Sequence, residues 1–251
     1  MSASAQSPAS STDLRSGQLK NLIVATVAST VGFWAWTIIG PLSSRYAADM
    51  DLGAGQTSIL VAMPILVGSV ARIPVGALTD RYGGRIMFTV ILGITAPLVL
   101  LTGIVGQMGN FPFLVVIAFF LGIAGTVFAI GIPFCSAWYE RNRKGFATGV
   151  FGAGMVGTAV SAFFTPRLVT AVGYMGTHIT IAVVVAAMAV LSWLILRESP
   201  AWSAPTEPVL PKITHAFTLR VTWQLCFLYG VVFGAFVAFS NYLPPYLGNV
   251  Y

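Results

Sequence analysis

Seven stretches of this chain stay apolar for about the 20 residues that a helix needs to cross a bilayer. They run over 22–42, 57–78, 86–106, 111–138, 146–172, 177–196 and 222–247. Inside lipid every backbone N–H and C=O must be paired within the protein, so runs of this kind become helices. Charge agrees: 57% of the residues are hydrophobic and only 8% are charged, against roughly 25% charged in a soluble domain. So few charges cannot coat a water-soluble fold of 251 residues. The expected class is an all-α integral membrane protein.

The loops orient these spans. Short cytoplasmic loops retain Lys and Arg. Arg15 and Lys20, Arg81 and Arg85, Arg141, Arg143 and Lys144, and Arg197, Lys212 and Arg220 all fall on one side; Arg45 and Arg167 fall on the other. This predicts a cell (inner) membrane protein with a cytoplasmic N-terminus. It also accounts for the net charge of +6 without a nucleic-acid partner. The first 17 residues are rich in Ser and Ala and lack an apolar core, so they are no secretory signal and read as a disordered tail.

The sixth and seventh spans are joined by a polar stretch holding Pro200, Pro205, Pro208 and Pro211. Repeated proline opposes a helix and favours an extended spacer. The expected division is a cytoplasmic tail over 1–20, a six-span bundle over 21–196, a cytoplasmic linker over 197–220 and a seventh span over 221–251. A single span after such a linker has no second bundle to pack on. The sequence is therefore expected to be part of a longer protein, one that is monomeric when full length.

Arg72 is the anomaly. It lies within the second span, six residues from Leu78, or about 9 Å from the helix end. An ionised side chain in a span costs at least ~2.5–3.5 kcal/mol. One reading is snorkelling of the long side chain to the headgroups. The other is an anion site, because no acidic residue lies well inside any span and the guanidinium fork suits a planar oxyanion. Among the aromatics that could line a pathway are Phe33, Trp34, Trp36, Phe128 and Tyr229. In the fifth span Gly145, Gly149, Ala153, Gly157 and Ser161 recur every four residues, with Gly152 and Gly154 among them. Small residues let a second backbone approach, either as static packing or as a wall beside a substrate path.

Other chemistry is missing from the pattern. There is no P-loop, metal-ligand spacing or catalytic triad, so neither an enzyme nor a bound cofactor or metal is expected. Cys135 and Cys226 sit in apolar runs and read as buried thiols. His178 and His215 are isolated near span ends and make poor proton relays. A seven-helix photoreceptor would place its N-terminus outside and needs a lysine in the last span, which is absent here.

The loop from Gly76 to Arg85 resembles the signature that the major facilitator superfamily carries between its second and third spans. Gly76, Asp80, Arg81, Gly83 and Arg85 match it, with Gly84 in place of one basic residue. Read from its residues alone, this segment is either a place where Asp80 and the arginines pair with neighbouring helix ends or an ordinary positive-inside loop. The resemblance implies a fold made of the first six-helix bundle plus the first helix of the second. Within the superfamily the chain resembles the nitrate/nitrite porters. The likeness lies in Phe33-Trp34-Ala35-Trp36, in Arg72-Ile73-Pro74, in the glycine-rich run from Gly149 to Thr158, and in Tyr229 with Phe233–Ser240. It implies a secondary transporter of nitrate and nitrite, by exchange or by proton-coupled uptake; a porter for small carboxylates such as oxalate or formate is the alternative. The implied substrate contacts are Arg72, Phe128, Tyr229, Phe33, Gly152, Gly154 and Met155, the last where relatives commonly have Asn. A second substrate arginine belongs to an eighth span, beyond this sequence.

Overall fold

A computed structural model describes residues 11–204 and 209–250, and these are helical with no strand among them. Five helices are long and apolar enough to cross a membrane, or six when the bent pair Ala54–Val70 and Arg72–Tyr82 counts as one span. One of the five, Lys144–Ile195, is 52 residues long. A straight helix of that length would measure about 78 Å, well over twice the ~30 Å hydrocarbon core. It breaks at Gly173, whose φ of 78° and ψ of 171° leave the helical region.

The contacts across that break show a reversal. Ascending, Gly154 lies against Thr26 and Ser29, and Trp34 Nε1 donates to Thr165 Oγ1 at 3.0 Å. Near the turn the hydroxyls of Tyr46 and Tyr174 are hydrogen-bonded at 2.9 Å. Afterwards the chain returns until Arg197 N donates to Asn21 Oδ1 at 2.9 Å. The two limbs are the expected fifth and sixth spans, which completes the seven. Glycine at 173 is required because its backbone is left-handed.

The other spans follow in order as α1 (Ser11–Trp36) with α2 (Ile39–Met50), α3 (Ala54–Val70) with α4 (Arg72–Tyr82), α5 (Gly84–Gln107), and α6 (Phe111–Leu121) with α7 (Val127–Ala137). Next come α8 (Lys144–Gly152) and α9 (Gly157–Ile195), then α10 (Val209–Thr218) and α11 (Arg220–Val250). Phe33, Trp36, Phe88, Leu92, Leu121 and Phe151 are buried between them. Large apolar side chains such as Leu66, Val183 and Leu194 remain exposed, as the outer face of a lipid-embedded bundle requires.

Four spans are interrupted, the fifth span by a 3₁₀ turn over Ala153–Val156 between α8 and α9, and proline accounts for two of the other breaks. Pro41 has no N–H to give to Thr37, so the chain tightens between α1 and α2, where Ile38 N and Gly40 N bond to carbonyls three residues back. Pro74 likewise cannot bond to Val70, and its ring crowds that carbonyl; α3 and α4 meet at 41°. Between α6 and α7 the residues Gly122–Thr126 wind as a 3₁₀ turn.

Four expectations change. The helix α1 begins at Ser11, inside the presumed tail, carried back by helix-forming Leu14, Arg15, Leu19 and Lys20; residues 1–10 lie outside the described residues. The linker contains α10, because Pro211 stands in its first turn, where a missing N–H costs no hydrogen bond. Cys135 is buried as expected, but Cys226 on α11 is exposed, since few described neighbours cover that helix. The small-residue stripe does not form one packed face. Gly145, Gly149 and Ala153 are exposed, and Gly154, Gly157 and Ser161 are the buried members. A four-residue step overshoots the helical turn by about 40°, so the stripe drifts round the helix.

At the buried end of that stripe, a Cβ on Gly157 would overlap the Thr30 carbonyl, whereas one on Gly149 would meet nothing within 4 Å. Gly157→Leu should force α1 and α9 apart and lower stability by about 3 kcal/mol or more. Gly149→Ala should be near neutral. Thermal unfolding midpoints of the two purified variants check this, and equal midpoints would refute it.

Candidate functional site

The bend made by Pro74 determines where Arg72 can point. Arg72 is the first residue of α4, so its side chain leaves the helix at the break. Nη1 donates to the Tyr229 hydroxyl at 3.2 Å. Nε and Nη2 are buried and have no hydrogen-bond partner among the described residues. Among the described residues Arg72 makes no ion pair. The guanidinium is therefore turned toward Tyr229 of α11.

Aromatic rings enclose it. The Arg72 Cζ lies 4.6 Å from the Phe233 ring centre, 5.7 Å from Phe128 and 5.8 Å from Trp36. Tyr229 and Phe233 are one turn apart on α11 and stack at 5.0 Å with 9° between their planes. Phe128 stands in the first turn of α7, just after the 3₁₀ segment. It lies 6.4 Å from Tyr229 and 6.1 Å from Phe233, and Phe33 meets it edge-on at 6.1 Å.

This arrangement selects a type of ligand. The negative ring faces offset part of the guanidinium charge. A buried polar group left without a partner still costs about 1–3 kcal/mol, and more when charged. Two such donors on one rigid fork call for an acceptor carrying two oxygens. A cation would be repelled, and no group of three or more metal-binding side chains occurs among the described residues.

Of the residues singled out in the sequence, Arg72, Phe128, Tyr229 and Phe33 come together. The ring contacts and hydrogen bonds around Arg72 do not include Gly152, Gly154 or Met155. Gly154 packs on α1, a Cβ on Gly152 would meet nothing within 4 Å, and Met155 is half-buried against the core. Phe233 and Trp36 belong to the cluster although neither was singled out as a substrate contact. The spacing from Tyr229 to Phe233 is the signal, since residues four apart share a helix face. His178 is also not isolated. It is fully buried, with Nδ1 at 2.9 Å from the Tyr174 carbonyl.

The Gly76–Arg85 segment, expected as a loop, is almost wholly helical: it forms the last two turns of α4, the break at Gly83 and the first residues of α5. A Cβ on Gly76 would meet nothing within 4 Å, and Asp80 and Arg81 are exposed. Asp80 forms no ion pair among the described residues, and Arg81 rests 5.6 Å from the Tyr82 ring. The acid that matters there is Glu198, which the sequence reading missed. Its carboxylate accepts from Arg85 N at 2.7 Å and caps α5, and a Cβ on Gly83, whose φ is 86°, would strike it. Burial pushes the Glu198 carboxyl pKa up, and the N–H groups of Arg85 and Gly84 and the Arg85 charge draw it back. Arg85 itself donates from Nε to the Trp193 carbonyl at 2.9 Å.

The family model of the Major Facilitator Superfamily matches residues 25–251. The chain belongs to this superfamily. Over most of its length it is similar to porters named for nitrate and nitrite. A "Probable nitrate/nitrite transporter NarK2" of Mycobacterium tuberculosis is 52% identical over 235 residues, covering 94% of this chain and 60% of that relative. A "Probable nitrate/nitrite antiporter NarK1" of Thermus thermophilus is 36% identical, covering 94% and 55%. A "Nitrite extrusion protein" of Bacillus subtilis is 34% identical, covering 90% and 56%. The chain thus spans somewhat more than half the length of these porters.

Tyr229 holds the one satisfied Arg72 nitrogen. Tyr229→Phe keeps the stack on Phe233 and removes that acceptor, so it should lower stability by about 1–2 kcal/mol. Tyr229→Ala should cost more. Unfolding midpoints in anion-free buffer test the order, and an unchanged Tyr229→Phe midpoint would count against the hydrogen bond.

Proposed function

We propose that the full-length protein is a secondary transporter of nitrate and nitrite, and that Arg72 binds the anion. The observation that carries the reading is the pair of buried, unpartnered donors on Arg72 facing no carboxylate and walled by Phe128, Phe233 and Trp36. A flat, delocalised oxyanion would take bidentate hydrogen bonds from the fork and lie against the Phe128 and Phe233 rings. The names of the porter relatives support the same substrates.

The transport cycle is alternating access, with the first six spans as one bundle, 197–220 as a cytoplasmic linker and α11 as the start of a second bundle rocking against the first. The excess of Lys and Arg on one side supports a cytoplasmic N-terminus in the cell membrane. Exchange is the favoured mode. An empty site keeps an uncompensated cation in low dielectric, so crossing empty is costly. No carboxylate or imidazole is in contact with Arg72 among the described residues to carry a coupling proton.

Arg72→Lys keeps the charge but loses the fork. In proteoliposomes carrying the full-length protein, that variant should lose most nitrate/nitrite exchange. Uptake of labelled nitrate at the wild-type rate, with equal protein in the membrane, would overturn the assignment. Stronger inhibition by oxalate or formate than by nitrite would move it to the carboxylate porters.

A further inference from the structure

Trp36 is the last residue of α1 and meets two other helix interruptions. Its indole Nε1 donates to the Pro64 carbonyl of α3 at 2.8 Å, two turns before the bend that carries Arg72. Its ring fills the space above two glycines. A Cβ on Gly68 would come within 2.6 Å of Nε1, and one on Gly125 within 2.6 Å of Cε2. Gly68 belongs to α3, and Gly125 to the 3₁₀ turn of Gly122–Thr126. The ring is 1% exposed, touches Phe33 edge-on at 5.4 Å and lies 5.8 Å from the Arg72 Cζ.

We infer that Trp36 is a positioning residue for Arg72. It wedges the break in the first span against the bend of the second and the 3₁₀ turn of the fourth, and so sets the direction of the guanidinium fork. The inference rests on the anion-site reading of Arg72. Two constraints act together. The hydrogen bond to Pro64 anchors the ring to α3, ahead of the bend. The ring face then bounds the volume open to the side chain that leaves α4, after the bend. A smaller ring, or one pushed aside, would let the fork reorient and misalign its donors without changing the charge. Such misalignment weakens anion binding more than it slows the rocking of the loaded protein.

The test measures half-saturation and maximal rate of nitrate/nitrite exchange in proteoliposomes with the full-length protein. Trp36→Phe removes the indole N–H and part of the ring, and Gly125→Ala displaces the ring while leaving it intact. Each should raise the half-saturation concentration about two- to tenfold, the loss expected for one hydrogen bond, with most of the maximal rate retained. Unchanged half-saturation in both variants overturns the inference. So does a fall in maximal rate and unfolding temperature with unchanged half-saturation, which would make Trp36 a packing residue. Where Trp36→Phe fails to reach the membrane, Gly125→Ala decides alone by the same criteria. Normal transport by Arg72→Lys would instead overturn the anion-site reading beneath it.

Discussion

A guanidinium in an apolar bundle is an unstable arrangement unless something answers its charge. Here three aromatic faces and one tyrosine hydroxyl answer part of it, and two nitrogens find no acceptor among the described residues. The rest of the architecture follows from keeping that charge in place. Pro74 bends the second span so that Arg72 leaves the helix at a break. Glycines at 68, 122 and 125 let the second and fourth spans approach closely around Trp36. The third side is closed by α11, which brings Tyr229 and Phe233 as a stacked pair.

The spans were legible because lipid imposes a simple rule. A helix must be long and apolar, and the sequence shows this directly. The expected 86–106 and 111–138 lie within about two residues of Gly84–Gln107 and Phe111–Ala137. Where a different rule governs, legibility fades. The start of α1 depends on local propensity in a polar stretch. The helix α10 depends on whether Pro211 falls in a first turn or an interior one. The small-residue stripe of the fifth span misled because a spacing of four marks neighbours over one turn and drifts over several, so Gly145 and Gly157 face different surroundings.

The site was legible in part for a similar reason. Arg72 announces itself, since a charge in a span is expensive wherever it points. Its partners do not. Phe128 and Tyr229 came from family likeness, and Trp36 stood among other aromatics with nothing in its neighbours to set it apart. Its role depends on Gly68 and Gly125, which lie far from it in sequence. No single-sequence pattern links them. The same holds for Glu198, a lone acid after the sixth span whose partner N–H lies 113 residues earlier.

Glu198 bears on how such a bundle can move. Rocking transport needs each bundle to behave as a rigid body, while loops between spans are natural points of slack. The carboxylate of Glu198 removes slack at one such point. It sits at the N-terminus of α5, where the helix dipole and the free N–H groups favour an anion. Gly83 is left-handed and without a side chain at the place that carboxylate occupies. Arg85 reaches the other way and donates to the Trp193 carbonyl. The loop between the second and third spans is thereby tied twice to the end of the sixth. The exposed Asp80 and Arg81 stay free of those ties.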